Sequence, residues 1–276
     1  MTSAFILDIA GERLAELLAT LAADPIEAQR RARQLDTAPI AAVSLGVADA
    51  RTAPRETTVA AAFILAHTRH VPVVLTVDPA RQHPVHVARA VATLSALHGG
   101  RVGVLARADA PTRAWHGTAD AGPPTAADYL ELLSGLWDSW PLDAVSPDGS
   151  ASRFVDDTRI VRVEHPRLPG IGGPLTLPTD GLNKPPLLLL HDGTAGSSAP
   201  QAIDLVLHRE PSEPTRYASA SGFVELAIGT DFPAPVDGHA PHAGRGLRAA
   251  LGLGPSRPAG LKTQRVFEEG TTAQRV

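Results

Sequence analysis

His83-Pro84-Val85-His86-Val87-Ala88-Arg89, running on to Leu97-His98-Gly99-Gly100-Arg101-Val102-Gly103, decides the architecture. Proline at position 84 suits the first turn of a helix, where a backbone N–H has no partner to lose. Val87, Val91, Leu94 and Leu97 recur at helical spacing and define an inward face. Gly99-Gly100 ends the helix, because glycine adopts the left-handed closing conformation at little cost. Residues 101–105 follow at once and predict a short buried strand. A helix that returns directly into a strand is half of a right-handed crossover, so the segment predicts an α/β fold with parallel strands.

The same alternation extends in both directions. Strands are predicted at 3–9, 39–45 and 71–77, the last interrupted early by Pro72, and helices at 12–22, 25–35, 57–67 and 126–137. Thr57 or Thr58 is the expected cap of the third helix. Residues 186–191 read as an uncommonly clean core strand. Residues 202–207, 216–219 and 223–228 read as the last strands, with little helix between them. Residues 141–185 are too long and irregular for an ordinary connection, and 158–163 with 175–177 can form a small hairpin inside them. Beyond Gly246 one short helix and a polar tail are expected. There is no repeat and no second domain, so 1–276 is read as one domain with an insertion at 141–185.

Composition narrows the function. Hydrophobic residues make up 43% of the chain but aromatics only 4%, so Ala, Leu and Val must fill the core. A net charge of -4 without a basic face argues against a nucleic-acid partner. The absence of cysteine excludes disulfides, thiolate chemistry and iron-sulfur clusters. Residues 1–9 lack the pattern of a signal peptide, and the apolar run at 187–190 is far too short to span a membrane, so a cytoplasmic protein without membrane partners is expected.

Several motifs share one order. They are His83 to Arg89, Ala92-Thr93-Leu94, Gly99 to Arg101, Leu136-Trp137-Asp138-Ser139-Trp140, Arg153-Phe154, Gly173-Pro174-Leu175, and a final Leu247 to Leu253 followed by Arg257-Pro258. In that order they resemble the luciferase-like flavin-dependent monooxygenases, most of all the nitrilotriacetate and dibenzothiophene-sulfone monooxygenase branch. The resemblance implies a (β/α)8 TIM-like barrel, truncated or irregular near its C-terminus because the chain is shorter than typical members. It also implies reduced FMN supplied by a partner flavin reductase, molecular oxygen, a small organic substrate and a homodimer. In such enzymes a reduced-flavin hydroperoxide transfers one oxygen atom to the substrate. The protein positions and shields the cofactor, so no diagnostic triad is required.

The site is expected at the C-terminal ends of the strands. His191-Asp192-Gly193-Thr194-Ala195-Gly196-Ser197-Ser198 overlies the family's loop after a core strand. His191, Gly193, Thr194, Gly196, Ser197 and Ser198 are its candidate cofactor-binding residues, since glycine amides and hydroxyls donate to phosphate. Asp192 would repel a phosphate if it pointed inward. Arg107 is a further candidate, in a segment (Ala106-Arg107-Ala108) that lacks the polar residues usual in the family. His86 coincides with a common family histidine and His116 lies in a mouth-like loop; both are candidate catalytic residues. His83 and His86 alone do not make a metal site. Trp115 suits a pocket or interface, Trp137 and Trp140 an anchor for the insertion, and Arg153 and Phe154 a pin holding it. Arg89 and Arg101 suit structural pairing with Asp or Glu. Two alternatives accompany the enzyme reading: a noncatalytic or regulatory subunit that has lost flavin binding, and a flavin or deazaflavin binding protein.

Overall fold

The computed structural model describes residues 4–47, 56–117, 120–146, 154–193, 199–221, 224–228 and 246–267. Eight strands close into a barrel: β1 (Ala4–Ile9), β2 (Ala42–Leu45), β3 (Val73–Thr76), β4 (Val102–Arg107), β6 (Leu187–His191), β7 (Leu205–Glu210), β8 (Glu213–Ser219) and β9 (Val224–Ala227), in that order around the ring. β1, β2, β3, β4, β6 and β7 pair in parallel in that order, and β9 pairs in parallel with β1. β8 runs antiparallel to both neighbours. The expected barrel is therefore present, and its irregularity lies at the C-terminal end. Two tight reversals replace crossovers there, which is how strands can follow one another with almost no helix between them. Closure leaves no open edge in the barrel.

The helices α1 (Gly11–Ala23), α2 (Pro25–Thr37), α3 (Thr57–His67), α4 (Pro84–Leu97) and α5 (Ala126–Asp138) cover the first strands. Strand side chains alternate between two cores, as the pleat requires. Val73, Leu75, Val102 and Val104 face the helices. Ile6, Ala42, Val74, Leu105, Leu188, Leu190, Leu207, Tyr217 and Leu226 fill the barrel. The short helix α6 (Leu247–Ala250) plugs the end opposite the mouth. Its Leu247 joins the interior core beside Gly103, where any side chain on β4 would collide with it.

Polar staples hold the connections. Glu56, not a threonine, caps α3 through its carboxylate, and Thr57 instead donates to the Thr76 carbonyl at 2.7 Å. Thr125 and Asp128 form a capping box on α5. Gly99 and Gly100 close α4 at φ of 60° and 71°, as expected. Arg101 differs from its expected pairing with a carboxylate: the buried guanidinium donates to the carbonyls of Leu65, Thr68 and Val71. Burial lowers its pKa, and Asp36 partly offsets this. Asp36 accepts from the amides of Arg69, His70 and Val71, so the same turn is held from both charge signs.

The insertion departs from the predicted hairpin. Residues 175–177 form no strand. β5 (Val161–Glu164) instead pairs antiparallel with β10 (Lys262–Arg265), which the tail supplies. Trp137 anchors α5 by donating to the Ala88 carbonyl at 3.0 Å, and the Trp140 carbonyl accepts from the Thr179 amide. Phe154 does not pin the insertion, being 67% exposed; Arg153 lies outside the described residues.

Candidate active site at the barrel mouth

The last inward residues of the parallel strands surround the mouth. On one side lie Asp8, Ser44 and Thr76, all buried. Asp8 accepts from the Ser44 hydroxyl at 2.8 Å and from the Val47 amide at 3.0 Å. Thr76 Oγ1 is buried without a hydrogen-bond partner among the described residues.

On the opposite side Arg107, Asp192, Arg209 and Tyr217 form one network. Arg107 ends β4 on the same face as Leu105. Asp192 follows β6, while Arg209 and Tyr217 sit opposite each other on β7 and β8. Asp192 Oδ2 accepts from Arg107 Nη2, and Oδ1 accepts from Arg209 Nη2 at 2.9 Å and from the Tyr217 hydroxyl at 2.7 Å. Arg107 also donates to Asp109 at 3.0 Å. Although burial lowers the Arg107 pKa, Asp109 and Asp192 more than offset it, and the net shift is upward. The Arg209 pKa is raised by its hydrogen bond to Tyr217.

The candidate phosphate loop begins beside this network. His191 ends β6, and the Gly193 amide donates to its ring Nδ1 at 3.2 Å. The His191 and His208 rings stand 5.8 Å apart. Thr194, Gly196, Ser197 and Ser198 lie outside the described residues. The described residues do not fit a flavin phosphate as they stand. Arg107 is neutralised by two carboxylates, the Gly193 amide is engaged, and Asp192 places negative charge where the phosphate is expected.

The rim above β3 and β4 gathers residues that are distant in sequence. His83 caps α4 by accepting the Val85 amide at Nδ1, at 3.3 Å. That bond leaves the proton on Nε2, which faces His116 Nε2 at 3.5 Å. The Trp115 ring lies 5.1 Å from His83, and Arg113 lies over the Trp115 ring at 4.8 Å. His86, one turn into α4, has its ring 5.5 Å from His83. The two candidate histidines, His86 and His116, are thus brought to one rim, with His83 between them. The sequence pattern did not assign His83 a site role; proline at 84 was the available signal, because the residue before it is the natural helix cap.

Burial, followed by the neighbouring His86 and His116, lowers the His83 pKa. A folded-state pKa below the unfolded value makes its contribution to stability full above about pH 6.5 and progressively lost below it. Trp115 fluorescence, isolated by difference from a Trp115→Phe protein, is expected to hold steady above about pH 6.5 and to change below it as the 108–117 loop loosens. The change should be absent in His83→Gln, and its persistence there would assign the transition to another group.

Two further features lie outside the barrel. His165 Nδ1 accepts the Arg167 amide, so its Nε2 carries the proton and faces Glu131 at 3.2 Å, with Asp128 at 3.8 Å. Arg167 also pairs with Asp128, and the group ties the insertion to α5. A cavity of about 640 Å³ between α4, the insertion and α6 opens near Gly100, at the end opposite the mouth.

Comparison with known proteins places this geometry. The profile of the luciferase-like monooxygenases matches residues 9–177. The chain belongs to the luciferase-like monooxygenase family. It is 34% identical over 135 residues to dibenzothiophene-sulfone monooxygenase of Rhodococcus erythropolis, covering 46% of this chain and 30% of that protein. It is 29% identical over 222 residues to a subunit of the pristinamycin IIA synthase of Streptomyces pristinaespiralis, covering 74% and 72% of the two. Among solved structures, a riboflavin lyase with modified FMN and riboflavin superposes with a TM-score of 0.51 at 20% identity, covering 70% of this chain and 51% of that one. A long-chain alkane monooxygenase gives 0.51 at 14% identity, covering 77% and 58%. These likenesses bear out the barrel. The chain spans only about half the length of these structures and less than a third of the Rhodococcus enzyme. No helix among the described residues is long and apolar enough to cross a membrane.

Proposed function

We propose that this chain is a barrel subunit of a flavin-dependent, two-component monooxygenase, and that it serves assembly or regulation rather than holding the flavin phosphate itself. One observation carries the reading: Asp192 is clamped by Arg107, Arg209 and Tyr217 at the end of the barrel where the cofactor phosphate is expected. The family supplies the general kind of enzyme. Similarity to one subunit of a synthase, over 72% of that subunit's length, supports a role beside a second polypeptide. FMN, the flavin reductase, oxygen and the small organic substrate then belong to the assembled enzyme. Pairing with a catalytic barrel takes the place of the homodimer.

A second reading, that the chain is itself the monooxygenase, is favoured by the rim. His86 and His116 would face the substrate, and Thr76 offers the barrel interior a hydroxyl without a partner among the described residues. Arg107, His191, Gly193 and the 194–198 loop would then hold the flavin, which when bound would supply the oxygen-activating chemistry.

Anaerobic titration of the purified chain with reduced FMN, followed by an oxygen pulse, separates the two. The subunit reading expects no saturable binding up to ~100 µM. Saturable binding with an oxygen-dependent flavin transient would overturn it and establish the second. Reduced deazaflavin provides the parallel control.

A further inference from the structure

The Asp192 carboxylate has the surroundings of a bound oxyanion. Among the described residues its two oxygens accept from Arg107 Nη2 on one side, and from Arg209 Nη2 at 2.9 Å and the Tyr217 hydroxyl at 2.7 Å on the other. The donors stand on three barrel strands, β4, β7 and β8, whereas the carboxylate sits just beyond the end of β6. The wall is thus built into the sheet and its occupant is not. Tyr217 is buried, and the Arg107 side chain is only 10% exposed.

Two guanidiniums within reach of the same carboxylate repel each other unless negative charge lies between them. Arginine is the side chain suited to bidentate recognition of oxyanions, and a phenol adds a third donor. Arg209 is oriented within this wall by donating to Tyr217 from Nε at 3.3 Å and from Nη2 at 3.0 Å. Asp109 holds Arg107 Nε separately, so that guanidinium keeps an anchor when Asp192 is removed.

We infer that Arg107, Arg209 and Tyr217 form a latent oxyanion site for inorganic phosphate or a phosphate monoester, filled in the resting chain by Asp192 as an internal pseudoligand. The inference rests on the subunit reading above, and it gives that reading a physical cause. An incoming phosphate must displace a carboxylate whose effective concentration is high because it is tethered. The site exists, and its competitor is part of the same chain.

The test is Asp192→Ala in phosphate-free buffer. The variant is expected to melt below the parent, because two cations lose their shared counterion. Inorganic phosphate should raise its melting temperature while leaving the parent nearly unmoved. Calorimetric titration should give at least a ~10-fold gain in phosphate affinity over the parent. A second change, Arg209→Gln, should abolish that gain. FMN and riboflavin distinguish the sources. A gain shared by FMN but not by riboflavin assigns the site to a flavin phosphate, and a gain confined to inorganic phosphate assigns it to the free ion. If Asp192→Ala does not fold, Asp192→Asn, which keeps the shape and loses the charge, is titrated by phosphorus NMR with the same expectation. No gain in either variant, or a gain that survives Arg209→Gln, overturns the proposal. The subunit reading stands or falls separately, on whether the unmodified chain binds reduced FMN.

Discussion

Lys184→Ala is expected to cost about 3 kcal/mol of unfolding free energy, the lower end of the range for removing one partner of a buried ion pair. Only 3% of the Lys184 side chain is exposed, and Nζ meets four acceptors: both Asp138 oxygens at 2.9 Å, the Ser134 hydroxyl at 2.7 Å and the Arg257 carbonyl at 2.7 Å. These belong to α5 and to the C-terminal segment, so one ammonium joins the entry of β6 to both. Burial lowers the Lys184 pKa, and Asp138 counters this shift. Removing the amine leaves the carboxylate with the Ala259 amide but no cation among the described residues. Asp138 retains 27% exposure, and water reaching it limits the loss. Urea unfolding of Lys184→Ala and Lys184→Met measures the effect. A loss below about 1 kcal/mol in both would place the pair with surface ion pairs, whose contribution is of that size.

Gly172→Ala is expected to be as damaging by a different route. Its φ lies outside the left-handed region, so the backbone conformation alone would tolerate alanine. An added Cβ would overlap the Val163 carbonyl oxygen. Val163 cannot move away freely, because its amide donates to the Gly172 carbonyl at 2.8 Å and it pairs with Thr263 of β10. Backbone displacement forced by a core-like collision costs about 1–3 kcal/mol, with more expected where two strands are tied to the colliding group. Limited proteolysis within the insertion should accelerate together with the loss in urea stability. Gly254→Ala is the control, since nothing lies within 4 Å of its Cβ position. Equal stability of the two variants would show that the insertion absorbs the extra atom.

The barrel was legible wherever local patterning dictated it. The α4–β4 unit could be read from Pro84, the valine and leucine spacing and Gly99-Gly100, and the structure keeps its bounds to within a few residues. The C-terminal strands were legible as strands, but the reversal of β8 was not, because alternation carries no direction. β5 has the composition of a strand, yet its partner β10 lies far along the chain, and no local pattern encodes so distant a pairing. The site was partly legible for a similar reason. Arg107, Asp192 and His116 could be singled out by type and position. Asp192 was recognised as a poor neighbour for phosphate, but Arg209 and Tyr217, which hold it, read as ordinary residues of a strand. His83 went unassigned because the 108–117 loop returns to it only in three dimensions.

The pairing of β5 with β10 also has a consequence in time. During synthesis the partner strand follows roughly a hundred residues later, an interval of roughly 5–20 s at ordinary elongation rates. The barrel's first parallel strands and their helices can condense meanwhile, since their contacts are comparatively local. The insertion has to wait, with the backbone donors and acceptors of one strand edge unpaired. Until residues 262–265 are made, β5 is a ribbon without this partner beside the forming barrel, and β10 is the clasp that retires it.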